Sequence, residues 1–181
     1  MLTQLNTYMG EILFLTMVIT IREYEEKDKE KLVSFMDQLQ DYLIAIDPLG
    51  RLRSSEKYGE RYLPWLLAKV REEQGLILFA EENNFPVAVI VGVIEEQQKG
   101  YLLECIPIKG GRVQELYVNE SYRSNGVGSL LMKELEDYFI KNGCTVVQLE
   151  VSIGNKANSF YRRWGFEERA IAMIKVLRTL N

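Results

Sequence analysis

The chain has no histidine, and its two cysteines, Cys105 and Cys144, stand far apart with no Cys-x-x-Cys spacing. Those absences remove the usual ligands of a protein zinc site, so no metal is expected. They also leave proton transfer to a carboxylate, to water, or to no base at all where an amine arrives neutral. No basic tract interrupts a chain whose formal charge is −4 and whose isoelectric point is near 5.1, which argues against nucleic acid as a main partner. Long apolar runs are missing too. The run 12–21 is only about ten residues, against the ~20 of a membrane span. No basic residue precedes it and no small-residue cleavage site follows it, so neither a membrane helix nor a signal peptide is expected, and the cytoplasm is the expected location.

What is present is ordinary in bulk and specific in two places. A chain of 181 residues suits one domain with a proper core, and hydrophobic and charged shares of 47% and 27% are those of a soluble globule. The first specific place is residues 115–139, ELYVNESYRSNGVGSLLMKELEDYF. This stretch predicts a strand, a turn holding Arg123, Ser124, Asn125, Gly126, Val127 and Gly128, and then an amphipathic helix over Val127–Lys141 with Val127, Leu130, Leu131, Leu135 and Tyr138 as its apolar stripe. A strand that passes through a glycine-spaced turn into a helix N-terminus is a phosphate-binding device. The first helical N–H groups lack partners, the helix dipole adds positive charge there, and Gly126 and Gly128 let a pyrophosphate approach the backbone. Arg123 adds a permanent cation. No lysine follows Gly128, which excludes the nucleoside-triphosphate loop, and the third glycine of a dinucleotide fingerprint is absent.

The second place is residues 155–168, where Asn155, Ala157, Phe160, Tyr161, Trp164, Gly165 and Phe166 stand at helical spacing ahead of a glycine stop. Asn155 suits an N-cap and Gly165 a left-handed helix end. The turn R-x-x-G-x-G, with ELYV before it and an apolar helix after it, resembles motif A of the GNAT acetyltransferase superfamily. The A-x-x-F-Y-x-x-x-G-F run, one further strand downstream, resembles that family's motif B. The resemblance covers roughly residues 18–177. It implies an α/β fold with a mixed, mostly antiparallel central sheet flanked by helices, and acetyl-coenzyme A as cosubstrate. It further implies direct acetyl transfer to a primary amine of a small molecule. A protein or peptide acceptor, a non-catalytic acyl-coenzyme A sensor and a homodimer all stay open.

The resemblance also assigns roles. The backbone of Leu116, Tyr117 and Val118 would hold the pantetheine arm where the strand splays from its neighbour. Arg123, Ser124, Asn125, Gly126, Val127, Gly128 and Ser129 would surround the pyrophosphate, and Asn155 would reach the arm. Tyr161 stands at the family position beside the sulfur. A phenol of pKa ~10 is protonated at neutral pH and can serve as general acid to the leaving thiolate. Glu115, at the start of the ELYV strand, is the candidate base, with Glu104 and Glu150 as rivals. Acceptor specificity is expected from Tyr42, Asp47, Tyr58, Tyr62 and Trp65, since aromatic and acidic groups together can enclose an organic cation.

The remaining pattern predicts a strand over 18–22, a helix over 25–46, and a helix over 54–73 that Pro64 kinks or restarts at Trp65. Strands are expected over 76–80, 87–95, 113–118 and 145–151, with 101–107 leading into the fourth as part of a hairpin, and a last strand near 170–177. Residues 1–17 are expected to be an N-terminal extension, with Met17 open as an alternative start, ahead of one domain over 18–181.

Overall fold

The computed structural model describes residues 18–97 and 100–177. Five strands are joined by helices: β1 (Ile19–Glu23), α1 (Lys29–Ile46), α2 (Tyr58–Glu72), β2 (Leu76–Glu82), β3 (Phe85–Glu95), α3 (Tyr101–Glu104), β4 (Gly110–Val118), α4 (Val127–Lys141), β5 (Val146–Gln148) and α5 (Asn158–Arg163). The sheet runs in chain order β1-β2-β3-β4-β5. Every pair is antiparallel except β4 with β5, which is parallel. This is the mixed, mostly antiparallel α/β sheet that the sequence predicts. The expected extension over 1–17 lies outside the described residues.

Strands β2 and β3 are apolar on both faces because both faces are covered. Odd-numbered Ile77, Phe79, Val89 and Val91 pack with Tyr117 against Leu32, Phe35 and Met36 of α1 and Leu63 and Leu66 of α2. Even-numbered Leu78, Ala80, Ala88 and Ile90 pack against Val127, Leu131, Met132, Leu135 and Phe139 of α4. The buried stripe of α4 is rotated from the predicted one, with Met132 and Phe139 inside and Leu130 exposed. Glycine at 92 and 111 permits this packing: a Cβ at Gly92 would stand 2.5 Å from Leu135 Cδ1, and one at Gly111 2.5 Å from the Phe139 ring. On β1, Arg22 donates to Asp28 at 2.6 and 2.8 Å and to Glu81 at 2.5 Å, tying the edge strand to β2 and to the start of α1.

Four expectations change. Pro64 does not restart its helix at Trp65, because α2 runs through it. The proline is exposed, so the carbonyl it leaves unbonded meets water, while buried Leu63 and Leu66 hold the helix down on both sides. Residues 101–107 form no strand. The β3–β4 register starts at the pair Glu95 and Gly110, so everything between belongs to the connection, with one helical turn in α3. The strand expected over 145–151 shrinks to Val146–Gln148. Residues 170–177 have no strand pairing, and Ile171, Met173 and Leu177 are exposed.

Candidate active site

The site is organised by a bulge in β4. Val91 pairs with Glu115 and Gly92 with Val113, so Gln114 is one residue more than the ladder needs. A bulge bends its strand and re-aims side chains. Two consequences follow. β5 stays paired with β4 only through Gly110, Arg112 and the glycine between them, and the β4 edge from Val113 to Val118 has no strand partner on that side among the described residues. That opening lies beside Leu116, Tyr117 and Val118. The second consequence is local. Glu115 comes to hydrogen-bond distance of Tyr62 on α2, and Gln114, its neighbour at the bulge, also acts on the Tyr62 phenol.

Glu115 is half-buried and accepts a 2.5 Å hydrogen bond from the Tyr62 hydroxyl at Oε1. Burial pushes its carboxyl above the ordinary range, against the pull of Tyr62 and Gln114. Tyr62 sits between Tyr58 (centroids 5.3 Å apart) and Trp65 (5.2 Å), so α2 presents a three-ring column beside the carboxylate. Burial and the negative charge of Glu115 also hold the Tyr62 phenol well above its ordinary pKa.

Tyr161 lies on α5, packed edge-on to Phe160 at 5.4 Å and to Phe166 at 5.8 Å. Its phenol is pushed up to about 12, first by burial and then by the charge of Glu115. The two predicted proton carriers therefore sense one another, although they come from β4 and α5. Gly165 ends the helix at φ +97°, the left-handed stop its position predicted. Asn155 caps the turn ahead of α5 rather than α5 itself. Its Oδ1 accepts from the Ala157 N–H at 2.9 Å and from the Tyr42 hydroxyl at 3.2 Å.

At the turn, the backbone N–H groups of Ser124, Asn125, Gly126, Val127 and Gly128 have no acceptor among the described residues. Ser124 (φ +65°) and Gly126 (φ +83°) are both left-handed. The two glycines differ in kind. Gly126 is there for its backbone angle. At Gly128 a Cβ would come no nearer than 3.8 Å to Phe160 and Val118, so the protein itself has room for a side chain. Arg123 is engaged with the protein. Its Nε donates to the Val118 carbonyl at 2.9 Å, and its guanidinium lies 5.5 Å from the Tyr42 ring centre and 5.9 Å from that of Tyr117. Asp47 holds its own loop, accepting from the N–H groups of Leu49, Arg51 and Leu52. A groove of about 580 Å³ between α1 and α2, lined by Lys29, Val33, Leu63, Leu67 and Arg71, reaches neither Glu115 nor Tyr161. No three His, Cys, Asp or Glu side chains come together as a metal site requires among the described residues.

Sequence reasoning missed the Gln114 bulge and the Tyr62–Glu115 bond. The bulge has no glycine or proline to mark it. The bond joins residues 53 apart.

Comparison with known proteins gives a consistent picture. The model of the acetyltransferase (GNAT) family matches residues 34–166. An uncharacterized N-acetyltransferase of Methanocaldococcus jannaschii is 30% identical over 120 residues, 64% of this chain and 48% of that protein. A second one from the same organism is 32% identical over 91 residues, 49% and 58%. The chain thus spans about half the length of these two relatives. Glucosamine 6-phosphate N-acetyltransferase of Arabidopsis thaliana is 25% identical over 155 residues, 86% of this chain and 94% of that one. Among solved structures, a Bacillus halodurans protein superposes with a TM-score of 0.76 at 22% identity, covering 88% and 99% of the two chains. The Arabidopsis enzyme superposes with a TM-score of 0.60 at 22% identity, covering 89% and 99%. At these identities the superpositions speak for the fold.

Proposed function

The chain belongs to the acetyltransferase (GNAT) family, and on that premise we propose that it moves an acetyl group from acetyl-coenzyme A directly to a primary amine of a small molecule. The observation that carries the proposal is the unpaired edge of β4 from Val113 to Val118, with Glu115 on that strand and a turn of partnerless N–H groups beyond it.

The cosubstrate fits what lies there. Leu116, Tyr117 and Val118 offer an open strand edge to the pantetheine arm. The unpaired N–H groups from Ser124 to Gly128, with Ser129 behind them and Gly128 bare where nothing in the protein demands it, suit a pyrophosphate. Arg123 closes the turn against Val118 and adds positive charge from the side. Asn155 is held by Tyr42, beside whose ring the Arg123 guanidinium lies.

The thioester is the cosubstrate's contribution; the chain moves protons around it. An alkylammonium near pKa ~10.4 has no lone pair, so its proton must leave, and Glu115 accepts it directly or through one water. The amine nitrogen then bonds to the thioester carbon, a β4 amide steadies the oxyanion, and the carbon–sulfur bond breaks. Tyr161 gives its proton to the thiolate, the second proton of the acetylated nitrogen passes back to the Tyr161 phenolate, and Glu115 releases the first to solvent. Part of what holds the phenol proton on Tyr161 is the charge of Glu115. Once Glu115 has taken the amine's proton that charge is gone, and Tyr161 becomes the better donor when a donor is needed.

The proposal places this chemistry in one domain over 18–181 with 1–17 as an extension, and in the cytoplasm, where the unpaired Cys105 and Cys144 would stay reduced. Thiol release from acetyl-coenzyme A, measured across polyamines, amino sugars, amino acids and peptides, tests it. A small amine is expected to be turned over. Turnover of peptides alone, or of nothing, would overturn the small-molecule assignment.

A further inference from the structure

Glu115 carries a charge that no cation of the protein balances. Its hydrogen-bond partner is neutral, the Tyr62 hydroxyl at 2.5 Å. It takes part in no ion pair among the described residues, whereas the buried Asp28 and Glu81 share Arg22. A carboxylate drawn out of water without a counter-ion is unfavourable unless something else supplies the charge.

The surroundings reinforce the same sign. Tyr58 feels both Glu115 and Asp37, and the two raise its phenol after burial does. Asp37 accepts from the Gly59 N–H at 2.7 Å and so is fixed at the base of the α2 column. Neither nearby cation is paired with Glu115. Arg123 is bonded through Nε to Val118 and lies over Tyr42 and Tyr117. Lys69, 6.0 Å from the Trp65 ring centre, is held by both carboxylate oxygens of Glu73 at 2.7 Å. What remains for a ligand is a negative centre beside the column of Tyr58, Tyr62 and half-exposed Trp65, whose ring faces attract cations and bury alkyl chains.

We infer that the acceptor enters as an ammonium ion with no anionic group of its own, bound by Glu115 and the α2 aromatic column, and that Tyr62 is the positioning residue that holds the Glu115 carboxylate toward it. The inference rests on the acetyl-transfer reading and narrows it. A phosphate or carboxylate tail would meet the like charge of Glu115 and Asp37, so amines that differ only by such a tail should be separated by charge.

Matched amine pairs make the test: glucosamine with glucosamine 6-phosphate, phenethylamine with phenylalanine, and cadaverine with lysine. The expected result is a kcat/KM higher by about tenfold or more for the uncharged-tail member of each pair. In Glu115→Gln, with one negative charge removed, that ratio should shrink even though turnover of both members falls. Tyr62→Phe should raise the KM of the amine and narrow the same ratio while leaving the KM of acetyl-coenzyme A unchanged, which a merely structural tyrosine would not do. Equal or better turnover of glucosamine 6-phosphate or phenylalanine overturns the inference and leaves acetyl transfer standing. So does a ratio that Glu115→Gln does not move. Thiol release from none of the amines overturns the acetyl-transfer reading itself, and the inference with it.

Discussion

The charge of Glu115 on β4 holds the phenol of Tyr161 on α5 above its ordinary pKa, adding to the effect of burial and bringing it to about 12. Removing that charge should release part of the shift. In Glu115→Gln the Tyr161 phenol should titrate lower than in wild type, still above the ordinary ~10 because burial remains. Phenolate absorbance in the ultraviolet would follow it, with Tyr161→Phe identifying the step. An unchanged titration would separate the two groups and remove the coupling that the mechanism uses.

The same carboxylate should shape the acid limb of the rate profile. Burial raises Glu115, so the pH below which activity falls should lie above the ordinary carboxylate value of ~4.3. Below that pH Glu115 is protonated and cannot accept the amine's proton; above it the base is competent. Glu115→Gln should abolish this limb and leave acetyl-coenzyme A affinity intact. A limb that persists in the variant would assign it to another group.

Gly126 and Gly128 should fail differently. Gly126→Ala forces a side chain onto φ +83° and should destabilise the fold by about 1–2 kcal/mol. Gly128→Ala meets nothing nearer than 3.8 Å, so it should melt like wild type while binding coenzyme A more weakly. Calorimetric titration with coenzyme A, alongside a thermal melt, separates the two. Wild-type affinity in Gly128→Ala would show that no ligand approaches that backbone.

The turn and its helix were legible because their signals are local. α4 spans the predicted Val127–Lys141 residue for residue, and Gly126 and Gly165 both adopt the left-handed angles that glycine permits. Strands β2 and β3 were legible from their apolar runs. The strand expected over 170–177 has a comparable run, but a strand exists only against a neighbour, and composition says nothing about whether one is there. In the candidate site, Glu115 and Tyr161 are singled out by chemistry and motif. The Gln114 bulge that opens β4, and the 53-residue separation bridged by Tyr62 and Glu115, are tertiary facts that no periodicity carries.

Away from the site, the Arg22 pair with Asp28 and Glu81 should govern acid stability. Arg22 lowers the Asp28 carboxyl below its ordinary value, so the folded state binds that proton less readily than the unfolded one. The stabilisation is therefore complete above the unfolded value of ~3.9 and is lost as pH falls through the lower folded value. Asp28→Asn should cost about 2–3 kcal/mol at neutral pH, less than a fully buried pair because the Arg22 side chain is 25% exposed. It should also flatten the loss of melting temperature below pH ~4. A parallel drop in variant and wild type would assign acid unfolding to other carboxylates.

The central claim is that Tyr161 protonates the departing thiolate beside the open edge of β4. The most direct measurement is single-turnover thiol release by Tyr161→Phe at saturating acetyl-coenzyme A and a good amine. Only a hydroxyl is lost, so the fold and the dissociation constant for acetyl-coenzyme A should be unchanged, while the rate constant for transfer should fall by as much as the ~10²–10⁴-fold typical of a missing general acid. A transfer rate equal to wild type, with chemistry established as the slow step, would contradict it.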